Sequence, residues 1–105
     1  MTYRIKENSY RARLAAWKLS SNKVAIVFGS TIYLYNASRE ELLANNRWLR
    51  HELKHIEQYK RFGFFTFLFL YIAETIRNGY VNNKFEVEAR EAEKDDSTNY
   101  LKKVL

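Results

Sequence analysis

His51-Glu52-Leu53-Lys54-His55 spells H-E-x-x-H, and it is the one run in this chain whose residue types and spacing declare a chemistry. On a helix, residues four apart share a face, so both imidazoles reach a single metal ion with the glutamate beside them. The chain holds two histidines, and both fall inside the motif. Random placement of its His and Glu residues would produce this pattern roughly two times in a thousand, which disfavours a helix that merely carries two surface histidines.

A catalytic zinc takes three protein ligands and keeps a position for water. There is no Cys, so the ligands must be His and carboxylate, a donor set that suits a catalytic more than a structural zinc. Metzincin spacing is excluded, because positions 58 and 61 are Gln and Arg where that pattern needs Gly and His. The third ligand is therefore a downstream glutamate, and Glu86, Glu88, Glu91 and Glu93 compete. On a helical wheel Glu86 shares an arc with Phe85, Ala89 and Ala92, and the two alanines let helix backbones approach closely. Glu88 sits at the edge of that arc and is the runner-up. Glu91 points to the polar side, and Glu93 could orient a ligand histidine. The expectation is one zinc per chain on His51, His55 and Glu86, with Glu52 as the general base that takes a proton from water. Tyr80, just ahead of the ligand helix, is a candidate oxyanion donor; loop packing is the plainer account of it.

The elements that must position these residues are punctuated by three glycines and no proline. Tyr10, Leu14, Ala15 and Trp17 recur at helical spacing between Asn8 and about Ser20. Lys23 to Tyr35 is β-branched and aromatic on both sides of Gly29-Ser30 and reads as a β-hairpin. Its second strand, Thr31 to Tyr35, is the candidate edge for holding an extended peptide. Ser38 with Glu41 forms a capping box, and a break near Asn45-Asn46 precedes the motif helix, about 46–62. Within that helix Arg47, Arg50, Lys54, Glu57 and Arg61 gather on one arc, opposite Leu49, Leu53 and Ile56. His51, Glu52 and His55 flank the apolar arc, facing inward or into a cleft. Phe64 to Ile76 reads as a central buried helix, since its ten-residue apolar core is far below the roughly twenty residues a bilayer span needs. Gly79 ends it, and a loop leads to the third-ligand helix, about 85–101. The fold class expected is α+β: a mainly helical single domain, 1–105, with a small hairpin or sheet packed on the active-site helix.

Composition narrows the function classes. One domain of 105 residues, 47% hydrophobic, can build a core. The net charge of +6 comes from scattered Lys and Arg with no nucleic-acid-binding motif, so a solvated basic surface is expected and no nucleic-acid partner. Attraction to anionic membranes or acidic substrates is the minor alternative. Met1 to Lys6 lacks the apolar core of a signal peptide, so the default compartment is the cytoplasm.

Taken together, hairpin, H-E-x-x-H helix, aromatic linking helix and the Glu-bearing segment Phe85-Glu86-Val87-Glu88-Ala89 resemble the gluzincin metallopeptidases. The small size resembles their minimal members, the minigluzincins, over about residues 24–93. The resemblance implies a minimal zincin-like scaffold, similar to the catalytic core of integral-membrane zinc peptidases, with His51, His55 and Glu86 as zinc ligands and Glu52 as base. It implies a peptide or protein substrate, and latency in which a terminal segment (here Tyr100 to Leu105) or a second copy, hence a homo-oligomer, blocks the cleft. Those membrane relatives carry an Asp four residues after the ligand Glu; here that position is Arg90. Two readings follow: a zinc-dependent endopeptidase, and a zinc-binding interaction module without catalytic activity.

Overall fold

The computed structural model describes residues 2–8, 23–94 and 103–104. All but the first residue of the helix expected from Asn8 to Ser20, and residues 95–102 and 105 of the expected final helix and tail, lie outside the described residues. The elements are β1 (Thr2–Lys6), β2 (Val24–Phe28), β3 (Thr31–Tyr35), α1 (Arg39–Ala44), α2 (Asn46–Phe62), α3 (Phe64–Asn82), α4 (Lys84–Ala92) and β4 (Lys103–Val104). The class is α+β and mainly helical, as the periodicity indicated.

The hairpin forms where β-branched residues flank Gly29, whose φ of +64° suits a tight turn. Its register pairs Val27 with Ile32 and Ile26 with Tyr33. The sheet order is β2-β3-β1-β4, with β2 antiparallel to β3, and β1 parallel to both β3 and β4. This corrects the expected edge. Thr31–Tyr35 lies between two partners because Thr2–Lys6, an alternating segment, forms a strand and takes its far side. Among the described residues, the free edge next to the helices is Val24–Phe28. At the opposite edge Lys103–Val104 pairs with Thr2–Tyr3, so these two tail residues add to the sheet away from β2.

Period-two alternation turns Ile32 and Leu34 inward with Tyr3 and Val27. They meet Leu42 of α1 and Leu49, Leu53 and Ile56 of α2 in one buried cluster. The Tyr59 hydroxyl donates to the Val27 carbonyl at 3.1 Å, which ties the motif helix to the free edge strand.

Local chemistry sets each helix boundary. Ser38 and Glu41 make the reciprocal capping box. Asn45 Oδ1 accepts from the Trp48 amide at 3.0 Å and starts α2, while Gly63 at φ +85° ends it. Asn83 starts α4 and is fully buried. Its Oδ1 accepts from the Phe85 amide at 2.8 Å, and its Nδ2 donates to the Tyr71 carbonyl and to Thr75 Oγ1. The first turn of α4, with Glu86, is thereby fixed against α3.

Two expectations need correction. The helix from Phe64 is not central: of its residues only Phe67 is fully buried, and Phe65, Phe69, Ile72 and Ile76 face outward. One face meets the core through Phe67, Leu70 and Tyr71, and among the described residues no element packs over the other. The helix kinks at Gly79 (φ 79°, ψ 166°) and resumes for one turn. The ligand helix closes at Ala92, short of position 101. Glu93 and Lys94 donate their amides to the Arg90 and Glu91 carbonyls, three residues back, so the last turn tightens and ends there. Among the described residues no helix is long and apolar enough to cross a membrane.

Candidate metal centre

α4 lies antiparallel along α2, clamped at both ends by side chains of α2. Gln58 Nε2 donates to the Phe85 carbonyl at 3.1 Å. Arg50, buried although its arc looked solvent-facing, reaches the Glu93 carbonyl through Nε at 3.1 Å and through Nη2. That carbonyl is at a helix C-terminus, where intrahelical donors run out. Ala89 and Ala92 are buried between the clamps and permit the close approach.

The clamped helices bring His51, His55 and Glu86 into one group whose three ligand atoms lie within 4.8 Å of one another. Glu86 Oε1 is 3.0 Å from His51 Nε2 and 3.2 Å from His55 Nε2. A tetrahedral zinc with bonds of about 2.0–2.1 Å sets its ligand atoms about 3.3–3.4 Å apart, close to these separations.

The opposite ring nitrogens decide which way the lone pairs point. His51 Nδ1 is 2.8 Å from Glu93 Oε2, a pure acceptor. His55 Nδ1 is 2.9 Å from Gln58 Oε1. The Gln58 amide has one sensible orientation, because its nitrogen donates to the Phe85 carbonyl and to Glu88 Oε1 at 2.8 Å. Both imidazoles therefore carry hydrogen on Nδ1, and in their neutral form both Nε2 lone pairs face a carboxylate oxygen. Three acceptors aimed at one point need a cation between them, or protons on the imidazoles. In a metal-free chain the protons would supply that charge. Burial opposes charge on His51, but hydrogen bonding to Glu86, with Glu52 and Glu93 nearby, overrides it and raises its pKa to about 9. His55 shifts upward by the same contest, burial against Glu86. Glu86, despite burial, is held well below the usual carboxylate range by the two histidines and Tyr71.

Glu52 is buried beside the histidines, and burial drives its pKa up to about 7, against the lowering pull of His55 and His51. It opens on a cleft of about 340 Å³. One wall of the cleft is the free edge strand Val24–Phe28; the other is Leu68, Tyr71 and Ile72 of α3, with Tyr80 at the side. The Tyr71 hydroxyl donates to Glu86 Oε2, and burial together with Glu86 pushes its pKa far up, so it stays a donor.

All four residues expected to carry the chemistry thus line one cleft. Glu93 meets His51 at the atom a supporting partner would use. Glu88 stays outside the group, engaged by Gln58 and, at 3.5 Å, by Arg61. Arg90 donates to the Val81 carbonyl, so the support that the resemblance assigned to its position comes instead from Gln58 and Glu93. Sequence reasoning missed Tyr71 and Gln58. Tyr71 is the one hydroxyl-bearing aromatic in the run Phe64 to Ala73, and Gln58 lies one turn after His55; both facts were available signals. Tyr80 lines the cleft, its pKa raised by burial and by Glu86 and Glu52. No protein-family model, curated protein or solved structure matches this chain.

Proposed function

We propose that the chain is a zinc-dependent endopeptidase of the minimal gluzincin type, with His51, His55 and Glu86 holding one zinc and Glu52 acting as general base. The observation that carries the reading is the convergence of three lone pairs, two with tautomers fixed by Glu93 and Gln58, beside a buried carboxyl in an open cleft. Bound zinc would supply Lewis acidity and make water a nucleophile near neutral pH. Glu52, with a pKa near 7, takes the proton from the attacking water and hands it to the leaving amine. Tyr80, which lines the cleft and is kept neutral by burial, donates to the oxyanion that develops in this reading.

The substrate is held by strand addition. In a two-residue hairpin the residues flanking the turn exchange both ladder bonds, so Phe28, Ile26 and Val24 turn their backbone polar groups to β3. Ala25 and Val27 turn theirs to the open side. The Val27 carbonyl is taken by Tyr59, and among the described residues the Val27 amide and both Ala25 groups are left for an extended peptide.

The test is cleavage of a denatured-protein panel by the zinc-loaded chain beside Glu52→Gln. The wild type should cleave and Glu52→Gln should keep its zinc and lose at least about a hundredfold in rate. Equal rates, or no hydrolysis by the zinc-loaded wild type, would favour the interaction module.

A further inference from the structure

The outward face of α3 is apolar along its length. Phe65, Phe69, Ile72 and Ile76 step by four, three and four residues onto one side, and are 82, 71, 51 and 79% exposed. With each large side chain offering on the order of 150–250 Å² when bare, the stripe shows roughly 600 Å² of apolar surface. Single exposed apolar residues are ordinary, but a contiguous patch of this size marks an interaction site.

Charge and area decide the occupant. Exposed Lys60 lies in the last turn of the helix ahead of the stripe, Arg77 follows Ile76 directly, and Lys84 opens the next helix. Glu74, the one acid of α3, lies on the opposite side of the helix and is held by Asn78 and the Lys84 amide. A second copy laid along the stripe, parallel or antiparallel, would set one basic end against another. It would also gain less than the about 800 Å² that each partner gives to a standard stable interface. An anionic lipid surface complements both ends at once. It accepts Phe and Ile into the boundary between headgroups and acyl chains, while Lys and Arg reach the phosphates.

We propose that the α3 stripe seats this chain on the surface of an anionic bilayer, lying in the interface without spanning it. Ile72 belongs both to the stripe and to the wall of the metal cleft, so the cleft opens beside the lipid. The inference does not depend on peptidase activity.

The experiment is co-sedimentation of the full chain with vesicles of phosphatidylcholine alone, or with about 30% phosphatidylserine added. The wild type should bind the anionic vesicles, and bind at least about tenfold less to neutral ones and to anionic ones in about 0.5 M salt. Phe69→Ser/Ile76→Ser changes two exposed side chains; it should keep the wild-type circular dichroism and lose at least about tenfold in binding. Arg77→Glu, a second route if the double variant misfolds, should weaken binding to anionic vesicles alone. Val87→Ser, exposed but off the stripe, should bind as the wild type does. The proposal is overturned if the wild type ignores anionic vesicles, or if neither stripe variant weakens binding. It is equally overturned if the wild type is a dimer that the double variant dissolves without any vesicle binding, since the occupant is then a second copy.

Discussion

Gln58 Oε1 lies 2.9 Å from His55 Nδ1, one helical turn away and on the far side of the imidazole from Glu86. The same amide donates to the Phe85 carbonyl, so one buried side chain both orients His55 and holds the helix that carries Glu86. Gln58→Met should fold, with a loss of about 1–3 kcal/mol from the unpaired polar groups it leaves. Zinc affinity should fall by about 10–100-fold, as for other outer partners of ligand histidines. Thermal melts and competition with a chelator dye read the two effects separately. A Gln58→Met chain that binds zinc as tightly as the wild type would remove the tautomer argument at His55.

The metal-free and zinc-loaded chains should respond to pH in opposite directions. The folded-state pKa of His51 is raised to about 9 from an ordinary 6.5, so its stabilising contribution is complete below 6.5 and disappears as pH climbs through 9. Glu52, raised to about 7 from 4.5, adds a loss in the same direction between those values. Glu86 is depressed, so its contribution is present above 4.5 and does not change in this range. The metal-free chain should therefore melt at a lower temperature at pH 9 than at pH 6. Zinc must displace the protons on the imidazoles, so its affinity should rise over the same interval, with proton release seen as buffer-dependent binding heat. A metal-free chain more stable at pH 9 would contradict the charged His–Glu–His arrangement.

Ala25→Pro removes an outward amide of β2 while leaving the ladder to β3 intact, a substitution that an edge strand tolerates. It should leave zinc content unchanged and lower kcat/KM on an extended peptide by about tenfold or more. An unchanged kcat/KM would mean that the substrate does not add to this edge.

The parts legible in the sequence were those carried by short-range spacing. His51, Glu52 and His55 followed from a helical turn, the hairpin from β-branched runs around Gly29, and Glu86 from its arc with Ala89 and Ala92. What stayed hidden depended on distant partners. Thr2–Lys6 alternates, but its pairing with β3 is parallel and separated from it by more than twenty residues, so no local signal placed it; the edge was misassigned for that reason. Phe64 to Ala73 is apolar but for Thr66, and a helix of that kind reads as buried whether or not another element covers it. Arg50 shared an arc with solvated charges, yet the end of α4 brings a carbonyl within reach of its side chain only after folding. The family resemblance has no counterpart in the comparisons, so the proposed metal centre rests on these residues alone.

The most direct measurement of the central claim is zinc content and affinity for the purified chain beside His51→Ala, Glu86→Ala and Glu88→Ala. The wild type and Glu88→Ala should each hold one zinc per chain, and His51→Ala and Glu86→Ala should each lose at least about a hundredfold in affinity. A wild type that takes up no zinc, or a Glu86→Ala chain that binds it as the wild type does, would contradict the assignment.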